Sequence, residues 1–210
     1  MEYLHWKEET IIDFSPEAIS KKYAEGFVFT RIGKGVMQQT RSVRIDLKNF
    51  ELSSENRRIL RKGEEIALEK NSIPFSKYSW EIGKLAKDFY DKKAGGVFSA
   101  NKIKELIETG ENFNSLYSFS NLGYAICYES AKILHYSYPF YDLEKAPKDM
   151  GLIMMTKAIA DAQTAGLECV YLGSLQRAND TYKLQFSGIE WFDGKEWSTD
   201  LEEVKKVLGK

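Results

Sequence analysis

Apolar and polar positions alternate over residues 43–47, "VRIDL", with Val43, Ile45 and Leu47 on one side and Arg44 and Asp46 on the other. A period of two predicts a strand with one buried face. Residues 27–31, "FVFTR", read as an earlier strand, followed by "IGKG" as a turn. The period changes to that of a helix at Tyr78, Ile82, Leu85 and Phe89, spaced by four, three and four, and Gly95-Gly96 stops the run. Ser15 with Pro16 opens a short helix that Gly26 closes, and Ser99 and Gly110 bracket another whose inner side carries Ile103, Leu106 and Ile107. Residues 123–142 contain two β-favouring runs joined around Glu129 to Lys132, which predicts an antiparallel hairpin. Residues 150–166 are apolar almost all round, as in a buried helix. "CVYLGS", "TYKLQFSGIEW" and "FDGKEWS" read as the last strands, with Asp193-Gly194 as a tight turn, and Thr199 with Glu202 as a capping box for a terminal helix.

This order predicts an α/β (α+β) fold: a mixed sheet flanked by helices, with at least one crossover connection. The expected organisation is an N-terminal helix-strand unit over residues 1–74, integrated with a core over residues 75–210. The hairpin, buried helix and strand resemble the core of the GNAT acyltransferases. In that fold a glycine-rich turn at the start of the central helix receives the pyrophosphate of coenzyme A. Here the stretch reads "APKDMGLIM", and Gly151 alone does not form that turn.

Composition narrows the chemistry. The chain has 210 residues, 43% hydrophobic and 29% charged, with a net charge of -1, which argues against an unselective polyanion binder but not against a local basic patch. Cys127 and Cys169 lack C-x-x-C spacing, and His5 and His135 have no carboxylate at a spacing that suggests a shared site, so no metal is expected. No segment approaches the roughly 18 to 20 apolar residues that span a bilayer, and the N-terminal stretch lacks a signal-peptide core; a cytoplasmic protein without membrane contact is expected.

Arg57, Arg58, Arg61 and Lys62 follow the strand of residues 43–47, after Ser53-Ser54 as a helix cap. Cations in the first turns of a helix oppose its dipole, and a bound phosphate would cancel the conflict. A solvated basic face balanced by Glu64, Glu65 and Glu69 is the other reading of the same residues.

Three segments, in order, resemble the arginyl-tRNA protein transferases and their bacterial leucyl relatives. "EGFVFTRIGKGVM" is similar to that family's Gly-Phe-Arg-Arg-Ser-Gly element, with Arg31 and Gly33 on matching positions. "VRIDLKNFELSSENRRILRK" follows the family's strand, serine and arginine-rich segment. "HYSYPFYDL", the helix after it, "VYLGS" and "YKLQF" are similar to its Tyr-Asp-Pro, helix, Tyr-Leu-Gly and Tyr-Lys motifs. The resemblance covers residues 25–186, with a gap between 74 and 123. Departures are visible: "VMQQTRSVR" has none of the family's cysteines, Leu143 replaces a proline, and "KDMG" replaces a Ser-Leu-Gly helix start.

The resemblance implies transfer of Arg or Leu from a charged tRNA to the N-terminal α-amine of a protein or peptide, without coenzyme A, iron-sulfur cluster or other cofactor. It implies that Arg31, Arg57, Arg58, Arg61 and Lys62 hold tRNA phosphates, and that Tyr171 and Tyr182 stack on terminal bases. Asp142, with Tyr141 beside it, would bind an amino group, and Lys183 would reach a phosphate. For Tyr171 core packing competes with stacking, for Asp142 a turn cap competes with amine binding, and Lys183 also reads as a solvent-facing strand lysine. An acyl-CoA-dependent GNAT enzyme and a noncatalytic tRNA-binding relative are the alternative functions.

Overall fold

Local signals start several elements where the sequence places them. In the computed structural model, which describes residues 3–96 and 98–209, the Ser15 hydroxyl accepts the Ala18 N–H and α1 runs Pro16–Ala24. Ser99 likewise accepts from Lys102 N to start α4, Ala100–Thr109, and Gly110 ends it in the left-handed conformation that a glycine adopts without a Cβ clash. The intervening α3, Trp80–Ala94, buries Ile82, Ala86 and Tyr90 at spacings of four. Leu85 and Phe89 therefore sit at the margin of its buried face, half-exposed, rather than at its centre.

Strands β1 (Lys7–Thr10), β2 (Phe27–Phe29) and β3 (Val36–Gln39) form an antiparallel sheet in the order β1-β3-β2. The larger mixed sheet has the order β11-β10-β4-β9-β8-β7-β6-β5. Its strands are β4 (Ser42–Asp46), β5 (Leu68–Ser72), β6 (Ser115–Phe119), β7 (Gly123–Glu129), β8 (Ile133–Tyr141), β9 (Cys169–Ser174), β10 (Ile189–Phe192) and β11 (Trp197–Ser198). β8 pairs in parallel with β9 over Ile133–His135 against Cys169–Tyr171, and α5 (Met150–Thr164) makes the crossover between them.

The chain divides into two units. The first comprises Met1–Ser54, Ser130–His135 and Ala162–Lys210, the second Glu55–Glu129 and Tyr136–Asp161, so the boundary expected at residue 74 falls inside the second. Tyr23, Phe29, Ile45, Tyr171 and Trp191 form the heart of the first; Ile59, Ile107, Phe119, Ile126, Phe140 and Ile153 that of the second. In the second unit, α2 (Ser54–Lys62) runs into Gly63, where an added Cβ would fall inside the Ile153 side chain of α5.

Three expectations change. Residues 178–185 form a 3-10 helix instead of a strand, because the Asp180 carboxylate accepts N–H groups from Gln176 and Arg177 and closes a helical turn there. Asp200, not Thr199, caps α6 (Leu201–Val207), accepting from the N–H groups of Glu202 and Glu203. Arg61 and Lys62 stand in the last turn of α2 and Glu55 in its first. Since α2 is only nine residues long, half the basic row lies at the favourable end of the dipole, and the expected conflict with it largely disappears.

Candidate functional site

The second unit carries a two-lobed groove along α3. The smaller lobe, about 280 Å³, lies between α3 and residues 141–145, which follow from the end of β8. Leu85, Phe89 and Tyr141 give it an aromatic and aliphatic lining, and Lys84, Asp88, Lys92 and Glu144 give it a charged rim. The Tyr141 ring centroid is 4.8 Å from that of Phe89, and a Cβ on Gly151 would lie 3.6 Å from the Tyr141 hydroxyl. Tyr141 is thus held beside the first turn of α5. Burial pushes its phenol above the ordinary value, so the hydroxyl stays a proton donor at neutral pH.

Asp142 follows in the same lobe. One carboxylate oxygen, Oδ1, accepts the Glu144 and Lys145 N–H groups at 2.9 Å each, the turn-capping role foreseen as its alternative. The other, Oδ2, has the Lys145 ammonium at 3.9 Å. The N–H groups of Lys145 and Glu144 hold the carboxyl below the usual range. Asp142 is therefore ionised at neutral pH: suited to holding an ammonium, too weak a base to deprotonate one.

The larger lobe, about 550 Å³, shares Glu81 and Leu85 with the first and continues over the face of β5, β6 and β7. Glu69 is opposite Ser118 across β5 and β6, and Ser118 is opposite Tyr124 across β6 and β7, so the three stand in one row on the same face. Asn71, two residues along β5, joins that face. The site reading of the sequence missed all four, although "LEKNS" does place Glu69 and Asn71 two apart, the period of a strand face.

The basic row of α2 belongs to the same unit. Arg58 pairs with Glu55, and Lys62 Nζ lies 2.8 Å from the carboxylate of Asp149. Asp149 has a left-handed φ of 74° and immediately precedes α5; Ile153 N donates to its carbonyl. The Lys62 ammonium holds the Asp149 carboxyl below its usual range. The structure therefore brings together Tyr141, Asp142, the start of α5 and the C-terminal turn of α2. Arg57 and Arg61 are exposed on the same helix.

The remaining candidates lie in the first unit. Tyr171 is 2% exposed, edge-on to Tyr23 at 4.8 Å and to Trp197 at 5.8 Å, so it cannot stack on a base; the packing alternative is correct. Burial raises its phenol to about 12 against the pull of Arg44. Tyr182 is 46% exposed, and the Lys183 ammonium lies 6.0 Å from its ring centroid. Lys183 is half-buried in the 3-10 helix, not solvent-facing on a strand; its Nζ donates to Ser174 O at 2.9 Å, and burial lowers its pKa although Asp180 opposes this. His135, 1% exposed, has Nδ1 2.8 Å from the Tyr23 hydroxyl. Arg31 is half-exposed after β2.

No protein-family model and no curated protein matches the chain. Among solved structures, L-PGS from Bacillus licheniformis is similar with a TM-score of 0.50 at 13% identity, over 93% of this chain and 71% of that one. The C-terminal domain of a candidate lysylphosphatidylglycerol synthetase from Agrobacterium fabrum is similar with a TM-score of 0.48 at 15% identity, over 80% of this chain and 55% of that one. At such identity the likeness to L-PGS shows the mixed α/β fold. Among the described residues no helix is long and apolar enough to cross a membrane.

Proposed function

We propose that the chain is an aminoacyl-tRNA-dependent transferase that moves an aminoacyl group to the N-terminal α-amine of a protein or peptide, as its resemblance to the arginyl-tRNA protein transferases implies. The observation that carries this reading is the convergence of the Tyr141-Asp142 pair, the start of α5 and the Lys62 end of the basic helix within one unit. An aminoacyl ester is already activated, so positioning supplies most of what the reaction needs. The acceptor amine enters the small lobe as the neutral base, its ammonium proton having been lost to solvent, and the Asp142 carboxylate holds it by accepting one of its N–H groups. As the amine adds to the ester carbonyl, negative charge gathers on its oxygen, and the Tyr141 hydroxyl is the donor suited to receive it. The carbonyl then reforms, the ester C–O bond breaks, and a proton from the attacking nitrogen passes to the departing oxygen, so that it leaves as the tRNA hydroxyl and the nitrogen becomes a neutral amide. Arg57, Arg58, Arg61 and Lys62 hold tRNA phosphates, contacts that fix register without reading sequence.

The test supplies radiolabelled arginyl- or leucyl-tRNA with peptides beginning in Asp, Glu, Lys or Arg. Acetyl-CoA runs in parallel as a donor. Phosphatidylglycerol vesicles run as an acceptor, because the two solved structures of similar fold carry L-PGS or lysylphosphatidylglycerol synthetase in their names. Label on the peptide amine from tRNA is the expected result. Label on lipid alone would replace the acceptor, and label from acetyl-CoA alone would overturn the reading. Tyr141→Phe is expected to lower kcat roughly 100-fold with KM little changed. Replacing both Arg57 and Arg61 by Ala is expected to reduce the salt dependence of tRNA binding by roughly one slope unit per lost phosphate contact.

A further inference from the structure

The larger lobe is polar where a sheet face covered by a helix is ordinarily apolar. Ser118 is 5% exposed and Tyr124 8%, yet the hydrogen bonds that reach them are long: Asn71 Nδ2 donates to Ser118 Oγ at 3.4 Å, and the Tyr124 hydroxyl donates to Asn121 Oδ1 at 3.4 Å. Well-formed bonds of these kinds lie near 2.7 to 3.2 Å, and each hydroxyl oxygen still has lone pairs to offer. Buried polar groups held this loosely on the floor of a cavity are poised for a partner from outside.

The rim sets the sign of that partner. Glu69 enters no ion pair and no side-chain hydrogen bond among the described residues. Glu81 is ionised, its carboxyl held low by the Ser79 hydroxyl and by its own N–H. Against these two carboxylates the lining offers one cation, Lys77. A phosphate is disfavoured there and an N–H-rich cation favoured. The Phe75 ring adds a face on which a cation can rest.

We propose that this lobe binds the cationic side chain of a basic amino acid, a guanidinium or primary ammonium, with Glu69 as counter-ion and Ser118, Tyr124 and Asn71 as its hydrogen-bonding floor. At about 550 Å³ the lobe accommodates a single amino-acid moiety with room for solvent. That moiety is either the transferred residue or a residue of the acceptor; this choice rests on the proposed function, whereas cation binding does not.

Isothermal titration of the full chain with argininamide, lysinamide and norleucinamide tests the site without tRNA. The expected result is that a basic amide binds at least about tenfold more tightly than norleucinamide, which shares the α-ammonium but has an uncharged side chain. Glu69→Gln should abolish that preference, and Asn71→Asp added to it should restore it. Norleucinamide binding equally well, or Glu69→Gln leaving the preference intact, would overturn the proposal. So would an absence of binding by both basic amides at millimolar concentration. A Gly-Arg-Gly peptide amide in the same titration separates the sources: tighter binding than argininamide marks an acceptor residue, weaker binding the transferred one. Loss of aminoacyl transfer with cation binding intact would remove the proposed function and leave this site standing, and the converse would do the opposite.

Discussion

Two tyrosines, one in each unit, are nearly closed to solvent and end in different circumstances. Tyr23 in the first unit has its hydroxyl 2.8 Å from His135 Nδ1, accepts the Phe29 N–H at 3.4 Å, and packs edge-on to Phe29, His135 and Tyr171. Tyr124 in the second unit stacks on Phe140, but among the described residues its hydroxyl reaches only Asn121, at 3.4 Å, from a cavity floor. Burial alone does not distinguish architecture from a site. A buried polar group that finishes its hydrogen bonding inside the core locks that core, whereas one left loosely bonded at a cavity wall is available to a ligand.

The comparison can be broken most directly at Tyr171. If the first cluster is architecture, Tyr171→Ala should cost about 3–5 kcal/mol of unfolding free energy in denaturant titration, since it removes a buried aromatic ring. A cost near zero would deny the cluster that role. The next largest effect is one of pH. Burial lowers His135 to about 3, with Lys183 adding to the shift, against about 6.5 in an unfolded chain. Between those values the unfolded state binds the extra proton, so this contribution to stability is complete above about pH 6.5 and is lost as pH falls towards 3. The loss approaches ~1.4 kcal/mol per pH unit. His135→Gln should flatten this slope relative to the parent protein, and parallel slopes would refute the assignment.

The smallest effects sharpen the contrast. Tyr23→Phe removes the 2.8 Å hydrogen bond to buried His135 and should cost about 1–3 kcal/mol. Tyr124→Phe, which gives up one long hydrogen bond, should change stability by less than ~0.5 kcal/mol while weakening the binding of basic amides. Equal destabilisation by the two substitutions would erase the distinction.

What the sequence made legible follows from the range of the interaction concerned. Caps such as Ser15 and Ser99 act within a few residues, and alternation in "VRIDL" produces β4 over Ser42–Asp46. Tyr141 and Asp142 were singled out by a resemblance carried in one continuous stretch, "HYSYPFYDL", which runs through the end of β8. Strand β5, "LEKNS", is mostly polar and carries no run of β-favouring residues, so it stayed hidden, as did β6. The row Glu69, Ser118 and Tyr124 exists only through the register of three strands, which no local window contains. The loop carboxylate of Asp180 likewise overrode the strand-like pattern of "TYKLQF" by capping a helical turn.

Gly63 has a consequence of an evolutionary kind. For the tRNA contacts proposed above, exposed arginines on α2 could trade places with lysines, or move by a turn, without loss of the positive charge. A side chain at residue 63 has no such freedom, because it would meet Ile153 and force α2 away from α5, taking Lys62 from Asp149. Among diverged descendants, the absence of a side chain at this one position should outlast the charges around it, and the glycine together with the Lys62-Asp149 pair is a better hallmark of kinship than the basic residues that first draw the eye.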